Sequence, residues 1–182
     1  MTPPAPPVPP DTPARGRWPS IWLAIRSIAW ATLLPGMVAG YVPWRFFGLA
    51  HLAPLTPAPL NLLALFMIGL GVALLAACIW EFARSGRGTL APVDAPTRLV
   101  VQGLYRWVRN PMYLSVTMIL LGEALLVRSW SLLVYWLVWF AVVNLFVRGY
   151  EEPALQERFG VSFEEYAREV PRWVPRPGGW PR

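Results

Sequence analysis

Four groups of residues in this 182-residue chain have types and spacings that can do chemistry. Gly69-Leu70-Gly71 strips the side chains from two positions of an apolar run. In a membrane helix that pattern usually lets a second helix come close; the functional alternative is a ligand lying against bare backbone. Thr97-Arg98-Leu99-Val100, leading to Gly103-Leu104-Tyr105, reads by itself as an amphipathic loop. Arg109-Asn110-Pro111-Met112-Tyr113 is a helix start, with Asn suited to the cap and Pro to the first turn. Such a start also presents free N–H groups and positive potential, which can hold the carboxylate of an amino-acid-like ligand. Tyr150-Glu151-Glu152-Pro153 puts adjacent carboxylates at the end of an apolar run, where packing does not need them. Either they pair with Arg148 at i+3 and i+4, a weak surface interaction, or they recognise a cationic or hydroxyl-rich ligand.

Other chemistries lack their residues. There is one cysteine, Cys78, and one histidine, His51, so no disulfide forms within the chain and a zinc site of the usual Cys and His ligands cannot be assembled. No spacing of carboxylates suggests a metal. Glu123 falls inside an apolar run, and a carboxylate there is a functional candidate by default. Cys78 reads as packing.

The elements that must position these groups are membrane helices. Hydrophobic residues make up 55% of the chain and charged residues 14%, against about 25% charge in an ordinary soluble domain. Eleven Trp fit the interfaces of a bilayer. The net charge is +6 and all sixteen basic residues are Arg. These flank apolar segments, so anionic headgroups rather than nucleic acid are the expected partner. Absent Lys beside abundant Ala, Pro and Gly points to a GC-rich bacterial genome, hence to a bacterial inner membrane.

Residues 1–17 form a Pro-rich tail, expected to be disordered or polyproline II and not a signal peptide. The first apolar run, Ile21 to Val42, carries Arg26 near its start and Pro35-Gly36 inside, where a kink is expected. A Pro-rich connection from His51 to Pro59 leads to the second run, Leu60 to Trp80, which is long enough to span. Two shorter runs follow, Tyr113 to Val127 and Leu132 to Val147. At 1.5 Å per residue each covers about 24 Å, short of a ~30 Å hydrocarbon core, so they form two short crossings or a hairpin. The tail alternates acids and bases. Glu152 to Arg158 and Ser162 to Val170 read as amphipathic helices split by Gly160, with Ser162 and Glu165 as a capping box and Pro171 as the stop. The fold class is therefore an all-α integral membrane protein of about four transmembrane helices plus cytoplasmic amphipathic helices at the C-terminus.

In order and spacing, the four groups resemble the isoprenylcysteine carboxyl methyltransferase family and the related phosphatidylethanolamine N-methyltransferases. The pattern T-x-L-V, G-x-Y, R-(H/N)-P-x-Y, an apolar hairpin, then E-E, F-G, Y and V-P is met by Thr97, Leu99, Val100, Gly103, Tyr105, Arg109, Asn110, Pro111, Tyr113, Glu151, Glu152, Phe159, Gly160, Tyr166, Val170 and Pro171. Gly69-Leu70-Gly71, Asn-Pro-Met-Tyr and Tyr-Glu-Glu-Pro look most like the phospholipid enzymes; Phe159 to Pro171 looks most like the carboxyl methyltransferases. The resemblance runs from Leu60 to Val174 and implies a membrane methyltransferase domain over residues 18–176, with 177–182 as a flexible end. It further implies that S-adenosylmethionine is surrounded by Thr97, Leu99, Val100, Tyr105, Asn110, Pro111, Met112, Tyr113 and Glu151. Gly69 and Gly71 join from the phospholipid enzymes' pattern. The family has a substrate-side Arg before the Glu pair; Arg148, one residue out of register, is the candidate, and with Glu152 it makes the expected catalytic pair.

The implied reaction is in-line methyl transfer to a lipid-like or prenylated substrate entering from the bilayer. Asn110 stands where the carboxyl methyltransferases usually have His, and it cannot serve as a base. A carboxylate acceptor needs no base, which favours isoprenylcysteine-type O-methylation; N-methylation of a phospholipid ethanolamine is the alternative. Some membrane sterol reductases resemble the C-terminal half, so a nicotinamide-dependent reductase is a further alternative, as is a nonenzymatic membrane protein.

Arginine placement sets the orientation. The stretch from Glu81 to Asn110 holds five Arg and the segment after Val147 holds six, whereas the other two connections hold one each, Arg45 and Arg128. By the positive-inside rule the Arg-rich loop, both termini and the site are cytoplasmic. In Cys78→Ser protein, a cysteine placed at Ser85 should label only from the cytoplasmic side; periplasmic labelling would reverse the topology.

Overall fold

The computed structural model describes residues 33–48, 58–85, 99 and 101–180. The Pro-rich tail, most of the first apolar run, His51, Thr97, Arg98 and Val100 lie outside the described residues. Among those described, the structure is all-helical with no strand.

Residues 33–36 are helical and run into a π-turn at Met37–Tyr41, followed by a short helix α1, Val42–Phe46. Pro35, where a kink is expected, is buried; the turn before it lies outside the described residues, and among those described a departure from α geometry follows at Met37–Tyr41. Its physical cause is Pro43, which has no N–H to give. Val42 N–H instead reaches back five residues to the Met37 carbonyl. The Val38 carbonyl, whose donor in that register would be Pro43, takes the Tyr135 hydroxyl at 3.1 Å. This bond and the contacts of Val38 and Ala39 dock the first segment on the helices that follow.

The long helix α2 (Pro59–Ser85, 27 residues) packs against α3 (Pro111–Val127, 17 residues). Small residues recur every seventh position on the contact faces: Ala64, Gly71 and Cys78 on α2, Ser115 and Gly122 on α3. Seven residues are two helical turns, so they form one seam. A Cβ on Gly71 would stand 2.7 Å from Ile119 Cγ1 and 2.9 Å from the Ser115 carbonyl oxygen. A Cβ on Gly122 would stand 2.7 Å from Ile68 Cγ1 and 2.9 Å from the Ala64 carbonyl oxygen. The contacts run in opposite sequence directions, so the helices are antiparallel and their backbones touch. Lipid tails give no hydrophobic drive for helices to associate, so this close van der Waals contact is what holds them.

A tight turn, with Arg128 left-handed (φ 53°) and the Ser129 side chain accepting the Leu132 N–H, leads into α4, Trp130–Phe146. The apolar run does not end there. A second π-turn, Val147–Glu151, joins α4 to α5 (Glu152–Phe159), giving one unbroken 30-residue helix from Trp130 to Phe159. The fourth run is thus longer than its apolar core suggests, because its polar end continues the same helix. Helix α6 (Val161–Glu169) follows. Gly160 (φ 52°) sits at its cap and Ser162 is already inside, so the expected Ser162–Glu165 capping box does not form.

Among the described residues, two helices are long and apolar enough to cross a membrane: residues 59–81, 23 residues of mean hydropathy 2.8, and residues 130–159, mean hydropathy 2.0. Their outer faces expose Leu62, Phe66 and Val72, and Val138, Val142 and Leu145, to what would be lipid. Helix α3 is shorter and lies mostly buried between its neighbours.

The glycines of the second run separate cleanly. Gly71 is buried in the seam, whereas a Cβ on exposed Gly69 meets nothing within 4 Å. Gly71→Ala and Gly122→Ala should each destabilise by about 1–3 kcal/mol through overpacking, while Gly69→Ala leaves stability unchanged. Thermal unfolding in detergent reads this; equal stability of all three variants would contradict the seam.

Candidate active site

The chemistry-bearing groups collect at one end of the α2–α3–α4 bundle. Three pieces meet there: the start of α3, the second π-turn, and the C-terminal segment folded back over both. Pro153 sets the π-turn as Pro43 sets the first. It lacks an N–H, and Glu152 N–H reaches five residues back to the Val147 carbonyl. Such turns inside α-helices are frequent at functional sites.

Asn110 caps α3 by position, and Pro111 follows as the first helical residue, both buried. The Asn110 side chain makes no cap bond to its own helix. Its amide donates to the Arg172 carbonyl at 3.3 Å. One turn into α3, the Tyr113 hydroxyl donates to Glu151 Oε2 at 3.2 Å. Helix start and π-turn are therefore joined through the first carboxylate of the pair.

The second carboxylate is an anchor. Arg172 grips Glu152 in bidentate fashion at 2.8 and 2.6 Å, and Arg109 Nη1 adds a bond at 2.8 Å. All three side chains are at most one-quarter exposed. The weak pairing with Arg148 considered from the sequence is not made; partly buried bidentate partners win over an exposed one. Burial pulls the Arg109 guanidinium below its usual range, opposed by Glu152. The hydrogen bond to Glu152 lifts Arg172. Both remain charged at neutral pH.

The C-terminal segment is tied along its length. Arg109 N–H donates to the Pro171 carbonyl (2.9 Å), Arg176 N–H to Trp107 (2.7 Å) and Trp180 N–H to Arg106 (2.8 Å). Beneath it Phe163, Tyr166 and Val170 form a small core with Leu99, Val101, Leu155 and Phe159. Tyr166 donates its hydroxyl to the Tyr105 carbonyl at 2.7 Å. Trp173 places its ring against Tyr113 and Phe140 and donates its indole N–H to Asn144 Oδ1 at 3.1 Å.

The residues expected at the site divide as follows. Asn110, Pro111, Met112, Tyr113, Glu151 and Glu152 lie together. Tyr105, in a 3-10 turn (Gly103–Arg106), is close by: burial pushes its phenol well above the usual range, and Cys78, Glu151, Tyr166 and Tyr113 push it the same way. Leu99 packs in the core under the C-terminal segment. Arg148 is exposed on the π-turn and makes no ion pair with another described residue. Gly71 is occupied by α3 and Gly69 faces outward. Thr97 and Val100 lie outside the described residues. Glu123 is buried on α3 with Oε2 unpartnered, beside Tyr135 and apart from this cluster. Arg172, Trp173 and Asn144 were not singled out from the sequence. Asn144 did carry a signal, an amide within an apolar run. Among the described residues no group of His, Cys, Asp and Glu is placed to hold a metal.

An apolar helical bundle with a cluster of carboxylates, guanidiniums and phenols at one end is the build of a small membrane enzyme. Residues 60–162 match the phospholipid methyltransferase family, and as this is more than half of the chain, the protein belongs to that family, a family of methyltransferases. No curated protein matches the chain. The match takes in the α2–α3 seam, the start of α3 and the Glu pair, and ends just inside α6, before the segment that carries Arg172 and Trp173.

Glu152→Gln should lose the charge that holds two guanidiniums and destabilise by about 1–3 kcal/mol, less than for a fully buried pair because the cluster is partly exposed. Limited proteolysis should then cut after residue 170 where wild type resists. Wild-type resistance in the variant would mean that the backbone bonds hold the segment without the clamp.

Proposed function

We propose that the protein is an S-adenosylmethionine-dependent methyltransferase acting at the membrane on a lipid-like acceptor. The observation that carries this is the Tyr113–Glu151 contact, which sets a carboxylate beside the start of α3 within the stretch that matches the family.

The donor set fits the cofactor. Its amino-acid end carries a carboxylate and an ammonium. The first-turn N–H groups of Met112 and Tyr113 have no acceptor within their own helix, so they suit the carboxylate. Glu151 suits the ammonium or the ribose hydroxyls, with Tyr113 fixing one of its oxygens. Asn110 and Pro111 shape the approach, and Tyr105, with Leu99 behind it, closes the loop side. Thr97 and Val100 join by family resemblance, as does Gly69, whose face is open. Gly71 acts by letting α3 come close. When bound, S-adenosylmethionine supplies a methyl group on a positively charged sulfur, open to in-line displacement.

The chain's part is then positioning and exclusion of water. Apolar helix faces supply the dry side, and an acyl or prenyl chain reaches the site laterally. Arg148, exposed on the turn that carries Glu151, steers an acceptor carboxylate. Glu152, saturated by two guanidiniums, is poorly placed to take a proton from an ammonium. These features support isoprenylcysteine-type carboxyl O-methylation. The second reading, N-methylation of a phospholipid amine, is favoured by the family match itself. In either case the Arg-rich loop and C-terminal segment face the cytoplasm, in a chain of about four crossings in a bacterial inner membrane.

Labelled methyl donor distinguishes the acceptors. A prenylcysteine analogue should yield a base-labile ester; label confined to base-stable phospholipid headgroups would assign the amine, and no transfer to either would remove the function. Glu151→Ala should weaken S-adenosylmethionine binding by about 1.5–3 kcal/mol, as for a charge-assisted hydrogen bond. Glu157→Ala, exposed on α5, should bind as wild type does. Calorimetry on detergent-purified protein reads both, and equal affinity in Glu151→Ala would take that residue out of the site.

A further inference from the structure

The C-terminal segment sends two consecutive side chains toward two consecutive carboxylates. Arg172 reaches Glu152 directly. Trp173 reaches Glu151 through Tyr113: the two rings stand 6.5 Å apart between centroids at an interplanar angle of 60°, and Tyr113 donates to Glu151. The indole is itself held from two sides. Phe140 packs at 5.0 Å between centroids, and Asn144 Oδ1 accepts the indole N–H at 3.1 Å. An amide in an apolar helix is unfavourable unless hydrogen-bonded, and the bond to Trp173 is what Asn144 makes. Trp173 lies beyond residue 162, where the family match ends, so the match assigns it nothing.

We propose that Trp173 is a positioning residue for the Tyr113–Glu151 pair, itself oriented by Asn144. This rests on the reading of Glu151 as a cofactor-binding carboxylate. The ring limits the rotamers open to Tyr113 and shields the hydroxyl-to-carboxylate bond from water, which strengthens it. Without the ring Tyr113 can turn off Glu151, and the carboxylate loses the partner that aims it. The C-terminal segment thereby sets cofactor affinity without touching the cofactor.

The test is S-adenosylmethionine binding by calorimetry on the full-length detergent-purified protein, with thermal unfolding measured alongside. Trp173→Ala should weaken binding about tenfold, Trp173→Phe should restore part of the loss, and Asn144→Leu should weaken it about threefold, coupling energies of the size seen between contacting residues. In a Glu151→Ala background, Trp173→Ala should add no further loss. A residue with a merely structural role would lower the unfolding temperature yet leave the folded protein's affinity unchanged, or would cost the same in both backgrounds; either result overturns the proposal. If Trp173→Ala does not fold, wild-type affinity in Trp173→Phe and Asn144→Leu together overturns it. Wild type that fails to bind S-adenosylmethionine overturns the underlying reading, whereas wild type that binds with the Trp173 variants unaffected overturns this inference alone.

Discussion

Glu152 holds two guanidiniums at once, and the arrangement of the site depends on it. One comes from the loop before α3, the other from the C-terminal segment, and both meet the carboxylate in partial burial. Such a cluster contributes little net stability against an apolar replacement, yet leaving one partner behind unpaired is strongly unfavourable. Its use is therefore geometric. It fixes three remote pieces of chain at a single point, and that point is one residue from Glu151. The neighbouring carboxylate is thus positioned by a pair in which it takes no part.

The clamp works because the helix beneath it is locally rewound. In each π-turn the residue before a proline gives its N–H to the carbonyl five back. At the first turn the released Val38 carbonyl takes Tyr135, which docks the first segment. At the second, the wider turn carries Glu151 and Glu152 at the junction where α4 gives way to α5, so a membrane helix runs on into the polar site without a loop. Farther into the bundle, the seam at Gly71 and Gly122 brings α3 close against α2 and so fixes where the start of α3, with Asn110 and Pro111, can lie.

Much of this was legible in the residues because it is written in local chemistry. Apolar run lengths give the helices, and Asn110-Pro111 gives the start of α3. Gly160 and Pro171 bound α6. The elements that escaped depend on contacts distant in sequence or on competition between partners. Nothing local says that Glu152 prefers Arg172, twenty residues on, to Arg148 close by; burial decides that. Nothing local separates Gly69 from Gly71, since only the facing helix does so. The π-turn ahead of Pro43 also escaped, because whether a proline rewinds the turn before it depends on which other donors that turn can call on. Ser162 resembles a cap residue, but the cap falls two residues earlier, at Gly160, whose left-handed backbone angle glycine tolerates best.

The central claim is that the start of α3 and the second π-turn form one cofactor site. Hydrogen–deuterium exchange of the detergent-purified protein, with and without S-adenosylmethionine, tests it most directly. The first-turn amides of Met112 and Tyr113 have no helical acceptor and should exchange readily in the free protein. On adding the cofactor, these amides and those around Glu151 should slow together, while the α3–α4 turn at Arg128 and Ser129 stays unchanged. Slowing at one of the two segments without the other, or at the far turn alone, would contradict the account.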